Sequence, residues 1–213
     1  MTLVIACMSK DGIIVAADSK AVPEGLDEKN NKEQIIEDTT KIFELSENCV
    51  ALVYGHGTDD YETFFDVFKK VYKSHGNFKG SFDYDFCASA LPEFLRDQYL
   101  DKIEGTDRNI GVIMAGANAE KELKICDMQS TERFGREAFC AFEDSNNYHF
   151  GGIRKCALEY FRDNKVVTEL SGKDVALELK SLIEKTADEF PREVNKNIII
   201  KQLNISGIRP IRI

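Results

Sequence analysis

Met1-Thr2-Leu3-Val4-Ile5-Ala6-Cys7 and Gly12-Ile13-Ile14-Val15-Ala16-Ala17-Asp18-Ser19-Lys20 decide how this chain reads, with Lys10-Asp11-Gly12 turning between them. Two apolar runs around a Lys-Asp-Gly turn predict a β-hairpin that begins at the second residue. Chain ends usually fray, so an apolar strand in this place asks for a reason. Thr2 heads the first strand, and Asp18 lies at the end of its partner. The rest of the chain bears on whether Thr2 is a strand residue or a nucleophile.

The chain has 213 residues, 43% of them apolar and 31% charged. That suits one domain with a full core, spanning residues 1–213. The net charge is −9, with acidic residues spread along the chain. Such a surface does not attract polyanions, so neither nucleic acid nor an anionic membrane is an expected partner. The first apolar run has no basic start and soon meets Lys10 and Asp11, unlike a secretory signal. Cys7, Cys49, Cys87, Cys126, Cys140 and Cys156 form no CxxC pair and no metal-ligand spacing with histidine. They read as reduced core thiols of a cytoplasmic protein, with no metal or other cofactor expected.

Beyond the hairpin, Ala21 to Asn31 reads as a surface loop broken by Pro23 and Gly25. Lys41 to Leu45 and Cys49 to Tyr54 form a second expected hairpin around Ser46-Glu47-Asn48. Phe64, Phe65, Phe68, Val71 and Tyr72 recur at helical spacing, and a second helix is expected from about Asp83 to Leu100. Pro92 implies a kink in that helix or a later start. Strands are expected over Asn109 to Gly116, Leu123 to Met128 and Phe134 to Phe142. Gly151-Gly152 precedes an expected helix from about Ile153 to Phe161, and Ser171-Gly172 opens a longer one. Ile198 to Ile200 and Ile208 to Ile213 read as closing strands. Strands in runs and helices in consecutive pairs predict an α+β arrangement with sheets inside helix layers, not a doubly wound parallel sheet.

No phosphate loop and no dinucleotide glycine fingerprint occur, so nucleotide cofactors are not expected. His56, His75 and His149 are scattered and form no recognisable Ser-His-Asp set. Thr2, Asp18 and Lys41 remain, each at an end of one of the first strands, with Gly55 after the fourth. Each also has a plain reading: a strand threonine, a turn aspartate, a solvated lysine and a turn glycine.

The run from Gly12 to Ala21, with its Ala-Ala-Asp-Ser-Lys-Ala end, resembles the proteasome β-subunit signature of the N-terminal nucleophile hydrolases. The interval from Thr2 to Asp18 matches that family's interval from nucleophile to aspartate without a gap. Thr40 to Leu45 resembles its lysine strand, and Val53-Tyr54-Gly55-His56-Gly57-Thr58-Asp59 resembles its next strand end and helix start. The resemblance covers nearly the whole chain, with its specific motifs in the first third, and implies a four-layer αββα sandwich. It also implies a threonine peptidase in which Thr2 attacks after Met1 is removed. The freed α-amine, of ordinary pKa about 7.7–8.0, would serve as base. Lys41 beside Asp18 would supply a fixed positive charge, and the Gly55 N–H would hold the oxyanion.

By the same resemblance, Ala21, Val22, Thr39, Phe43, Val53 and Gly57 match positions that shape the first specificity pocket, which implies an apolar residue before the scissile bond. Asp188, with Glu189 beside it, falls at the family's second aspartate. Phe150-Gly151-Gly152-Ile153-Arg154 stands where the family has a serine-glycine turn, and here no serine is present. The implied partners are further copies or related subunits in a ring, peptide or protein substrates, and an ATP-dependent unfoldase. A subunit that keeps the fold but cuts weakly or not at all is the alternative, as is a small-amide hydrolase on the same fold.

Overall fold

The computed structural model describes residues 2–21, 38–55, 61–74, 82–103, 110–130, 139–142, 147–163 and 167–213. Among the described residues the chain is mixed α+β, with two antiparallel sheets and four α-helices, an arrangement compatible with an α+β sandwich. Strands β1 (Leu3–Ser9) and β2 (Gly12–Asp18) pair from Val4 opposite Ala17 to Ser9 opposite Gly12. β8 (Tyr148–Gly152) flanks β1, while β9 (Ile198–Asn204) and β10 (Gly207–Pro210) extend the sheet beyond β2. The second sheet runs β3 (Ile42–Ser46), β4 (Cys49–Gly55), β5 (Ile110–Ala117), β6 (Leu123–Ser130) and β7 (Phe139–Phe142).

The opening strands read as unbroken apolar runs because both of their faces are covered. Side chains alternate across a strand. Leu3, Ile5 and Cys7 therefore join one core with α3 (Lys155–Asp163) and α4 (Gly172–Glu189), whereas Val4 and Ala6 join another. That second core lies between the sheets, where Val4, Val15 and Ala17 meet Val50, Leu52 and Ile113. A third core sits against the other face of the second sheet. It is filled by Phe64, Phe65 and Phe68 of α1 (Tyr61–Ser74) and Leu91, Phe94 and Leu95 of α2 (Tyr84–Ile103). The Phe94 ring lies 5.0 Å from that of Phe64 and 5.3 Å from that of Phe68. Each buried phenyl ring of this kind contributes about 1.5–3 kcal/mol by leaving water.

Local signals account for the helix starts. Ser171 adopts an extended backbone and its hydroxyl accepts from the Asp174 N–H at 3.2 Å, capping α4. The Asp11 carboxylate accepts from the Gly172 N–H at 2.9 Å, so the opening hairpin also satisfies the start of that helix. In α2 the Asp83 carboxylate accepts from the Phe86 N–H at 3.0 Å, and the helix runs on through Pro92. Described cysteines Cys7, Cys49, Cys87, Cys126 and Cys156 are buried thiols. Among the described residues no helix is long and apolar enough to cross a membrane.

Gly151-Gly152 precedes a helix as expected, but the two glycines also end a strand the sequence reading did not include, β8, paired through Gly151 to Val4 and through Gly152 to Leu3. The strand escapes a periodicity reading because its apolar side chains are only Tyr148 and Phe150, which stack on Phe161 of α3 with ring centroids 4.0 and 5.7 Å away. The helix after it, expected from about Ile153 to Phe161, spans Lys155–Asp163. The last strand is Gly207–Pro210, shorter than the apolar run that suggested it. Of the expected strand over Phe134 to Phe142, residues 139–142 are strand and 134–138 lie outside the described residues.

Candidate functional site

Thr2 precedes the first ladder residue of β1 and is buried at 5% exposure. Its backbone is held from the β8 side. The Thr2 carbonyl accepts from the Ile153 N–H at 2.7 Å, and Gly152 crosses it closely at φ +92°. A Cβ at residue 152 would stand 1.8 Å from the Thr2 oxygen, so only glycine fits there.

Asp18 ends β2 beside it. One carboxylate oxygen, Oδ1, accepts from the Thr2 hydroxyl at 2.6 Å and from the Leu3 N–H at 2.8 Å, while Oδ2 accepts from the Lys20 N–H at 3.0 Å. The third member enters from the second sheet. Lys41 lies just before β3, and its ammonium donates to Asp18 Oδ1 at 2.8 Å, to the Lys20 carbonyl at 2.5 Å and to the Thr2 hydroxyl. An ammonium has three protons to donate, and here each has an acceptor. Thr2 Oγ1 thus receives one hydrogen bond from a cation and gives one to an anion.

All three groups are nearly out of water: Asp18 is 1% and Lys41 6% exposed. Burial pushes the Lys41 ammonium below the usual lysine range; the charge and hydrogen bond of Asp18 oppose that shift without cancelling it. A buried charge without its partner is costly, which explains why the two arrive together.

The surrounding chain fixes the end of β2. The Ser19 N–H donates to the Asn197 carbonyl at 3.0 Å and to Asn195 Oδ1 at 3.1 Å, and Asn195 Nδ2 donates back to Ser19 Oγ at 3.2 Å. The Lys20 ammonium, on a residue 6% exposed, donates to the Pro191 carbonyl at 2.7 Å. The segment after α4 therefore grips the stretch that presents Asp18.

Gly55 ends β4 at φ +90°. It is joined to the cluster through its strand, where the Val53 N–H donates to the Lys41 carbonyl at 3.0 Å. No protein-family model matches this sequence, and no curated protein matches it. The site must be read from its own chemistry.

Residues expected to shape a specificity pocket are placed as follows. Thr39 donates its N–H to the Ser19 carbonyl at 2.7 Å, and its buried hydroxyl has no hydrogen-bond partner among the described residues. Phe43 and Val53 pack in the core beneath α1, with the Phe43 ring 4.9 Å from that of Phe65. Ala21 is half-buried just past Lys20. Val22 and Gly57 lie outside the described residues, as do Met1 and His56.

Asp188 is not brought to the cluster. Its side chain is 68% exposed and pairs with Lys196 at 2.6 Å. Glu189 pairs with Lys155 at 3.0 Å. Among the described residues no group of acidic, histidine and cysteine side chains could hold a metal ion.

Sequence reading missed three contributors. Lys20 acts through its backbone, which no residue-type pattern reports. Asn195 is separated from Ser19 by 176 positions, with no local cue. Gly152 was visible as a glycine, but its crossing of Thr2 depends on the β1–β8 pairing. The arrangement as a whole is a buried hydroxyl polarised by a buried cation.

Proposed function

We propose that this chain is an N-terminal threonine endopeptidase on the four-layer αββα sandwich of the N-terminal nucleophile hydrolases, with Thr2 as nucleophile. The observation that carries the reading is the Thr2 hydroxyl accepting from Lys41 and donating to Asp18 in one buried cluster, a single residue after Met1.

In this account removal of Met1 frees the Thr2 α-amine, which takes the hydroxyl proton as Oγ1 attacks a peptide carbonyl. The Lys41 cation stabilises the alkoxide as it forms and disfavours protonation of the amine. Asp18 holds Lys41 and the Leu3 N–H in place. The Gly55 N–H stabilises the tetrahedral oxyanion. The same amine then passes the proton to the leaving nitrogen, and water hydrolyses the resulting ester. An apolar residue before the scissile bond belongs to the same reading by resemblance, although Phe43 and Val53 themselves pack in the core beneath α1. Ring assembly with further copies and an ATP-dependent unfoldase as partner belong to the same reading.

The pairing of Asp188 with Lys196 favours one second reading, a ring subunit that keeps the fold and cuts weakly, because that carboxylate is engaged elsewhere. Hydrolysis of fluorogenic peptides with an apolar residue before the scissile bond separates the two. The Met1-free chain is expected to cleave them and the Thr2→Ala chain to lose at least about 10³-fold in rate. Equal rates for the two chains would overturn the mechanism.

A further inference from the structure

Tyr54 is one residue before Gly55 and faces the gap between the sheets, where it is 7% exposed. In the β4–β5 ladder it lies opposite Gly111, and Gly111 lies opposite Gln129 of β6. With no side chain on Gly111, the ring lies across β5 and reaches the next strand. There its hydroxyl donates to Asp127 Oδ1 at 2.7 Å, and Gln129 Nε2 donates to Asp127 Oδ2 at 2.5 Å. The other face of the ring is covered by Gly151 of β8. A Cβ on Gly111 would stand 2.0 Å from the ring and one on Gly151 2.2 Å from it, so the ring fills the whole space between two glycines of opposite sheets.

These glycines are not remote from the chemistry. Gly151 pairs with Val4, and its neighbour Gly152 crosses the Thr2 carbonyl. Tyr54 itself supplies the carbonyl half of the peptide bond to the Gly55 nitrogen. One ring therefore touches the backbone that seats the nucleophile and carries the backbone that would seat the oxyanion.

We infer that Tyr54, fastened by Asp127, is a positioning residue that sets the separation between Thr2 on one sheet and Gly55 on the other. The inference rests on the proposed peptidase reading. A hydroxyl-to-carboxylate bond at the far end of the ring stops it from tilting, and a tilt of the ring shifts both glycine-lined backbones it separates. Displacements of about 1 Å between reacting groups can cost about 10²-fold in rate. Substrate side chains do not meet this residue in the account, so ground-state binding is not its task.

The test is steady-state cleavage of an apolar fluorogenic peptide by the Met1-free chain and three variants. Tyr54→Phe keeps the ring and removes the hydroxyl; it is expected to lower kcat about tenfold with KM unchanged. Asp127→Ala is expected to do the same. Asp127→Asn, whose side-chain oxygen still accepts from the tyrosine once Gln129 turns its amide over, is expected to restore at least half of kcat. A Tyr54→Phe chain with wild-type kcat, or one whose loss lies in KM, overturns the positioning role while leaving the peptidase reading intact. A Met1-free wild-type chain without cleavage overturns the peptidase reading, and the positioning role with it. Tyr54→Phe decides the matter even if Asp127→Ala fails to fold.

Discussion

Lys41 and Asp18 form a buried ion pair at 2.8 Å that joins the two sheets, and the same lysine also donates to the hydroxyl of Thr2. The pair is both a structural tie and the source of charge at the candidate nucleophile. Removing one member leaves the other as an uncompensated buried charge, which costs about 3–5 kcal/mol in comparable cases. Lys41→Met is expected to lower the unfolding free energy by about 3 kcal/mol in denaturant titration. The same substitution should slow acylation of Thr2 by an electrophilic probe at least about 10²-fold, the scale of losing one charge-stabilising donor. Reactivity equal to wild type would separate the lysine from the chemistry.

Activity and stability should respond oppositely to alkaline pH. Burial lowers the Lys41 pKa in the folded chain below its ordinary 10.5. Between the folded value and 10.5, the unfolded chain holds a proton that the folded chain has shed. Unfolding then takes up a proton, so this group adds a stability that grows as pH rises through that window. Over the same window the site loses its cation, and cleavage should fall. On the acid side, activity should fall as the Thr2 amine, ordinarily near about 7.7–8.0, becomes protonated. The pH–rate profile of the Met1-free chain checks both limbs, and stability curves of wild type against Lys41→Met isolate the lysine. An alkaline limb at or above 10.5 would contradict the burial effect.

Gly152 gives a more local prediction. Its φ of +92° and the 1.8 Å approach of a would-be Cβ to the Thr2 oxygen leave alanine no place to go. Strain of this backbone kind costs about 1–3 kcal/mol, and moving the Thr2 carbonyl costs the Ile153 hydrogen bond as well. Gly152→Ala is therefore expected to destabilise the fold by about 2–4 kcal/mol in thermal or denaturant unfolding. Probe labelling at Thr2 should fall more than global stability predicts, because the backbone under the hydroxyl is what moves.

The residues that surround Thr2 were legible to different degrees for physical reasons. Thr2, Asp18 and Lys41 each sit where an apolar run begins or ends, and two adjacent hairpins bring such ends together. Helix α4 was legible from Ser171 and from the spacing of Val175, Leu179, Leu182 and Ile183, all buried. β8 was not, since Gly151-Gly152 reads as a turn until β1 and the Tyr54 ring give both glycines a reason to be bare. The grip of Asn195 and Pro191 on Ser19 and Lys20 uses backbone groups and amides far apart in sequence, which carry no pattern. Asp188 shows the opposite case: a matching position whose carboxylate pairs with Lys196 at the surface.

The central claim is that Thr2 becomes a free, reactive N-terminal nucleophile. Intact-protein and peptide mass spectrometry after exposure to an epoxyketone or lactone probe addresses it in one measurement. The account predicts a chain lacking Met1 that gains one probe mass, localised to Thr2 and absent from Thr2→Ala. A chain that retains Met1, or a Met1-free chain that gains no adduct at Thr2, would contradict it.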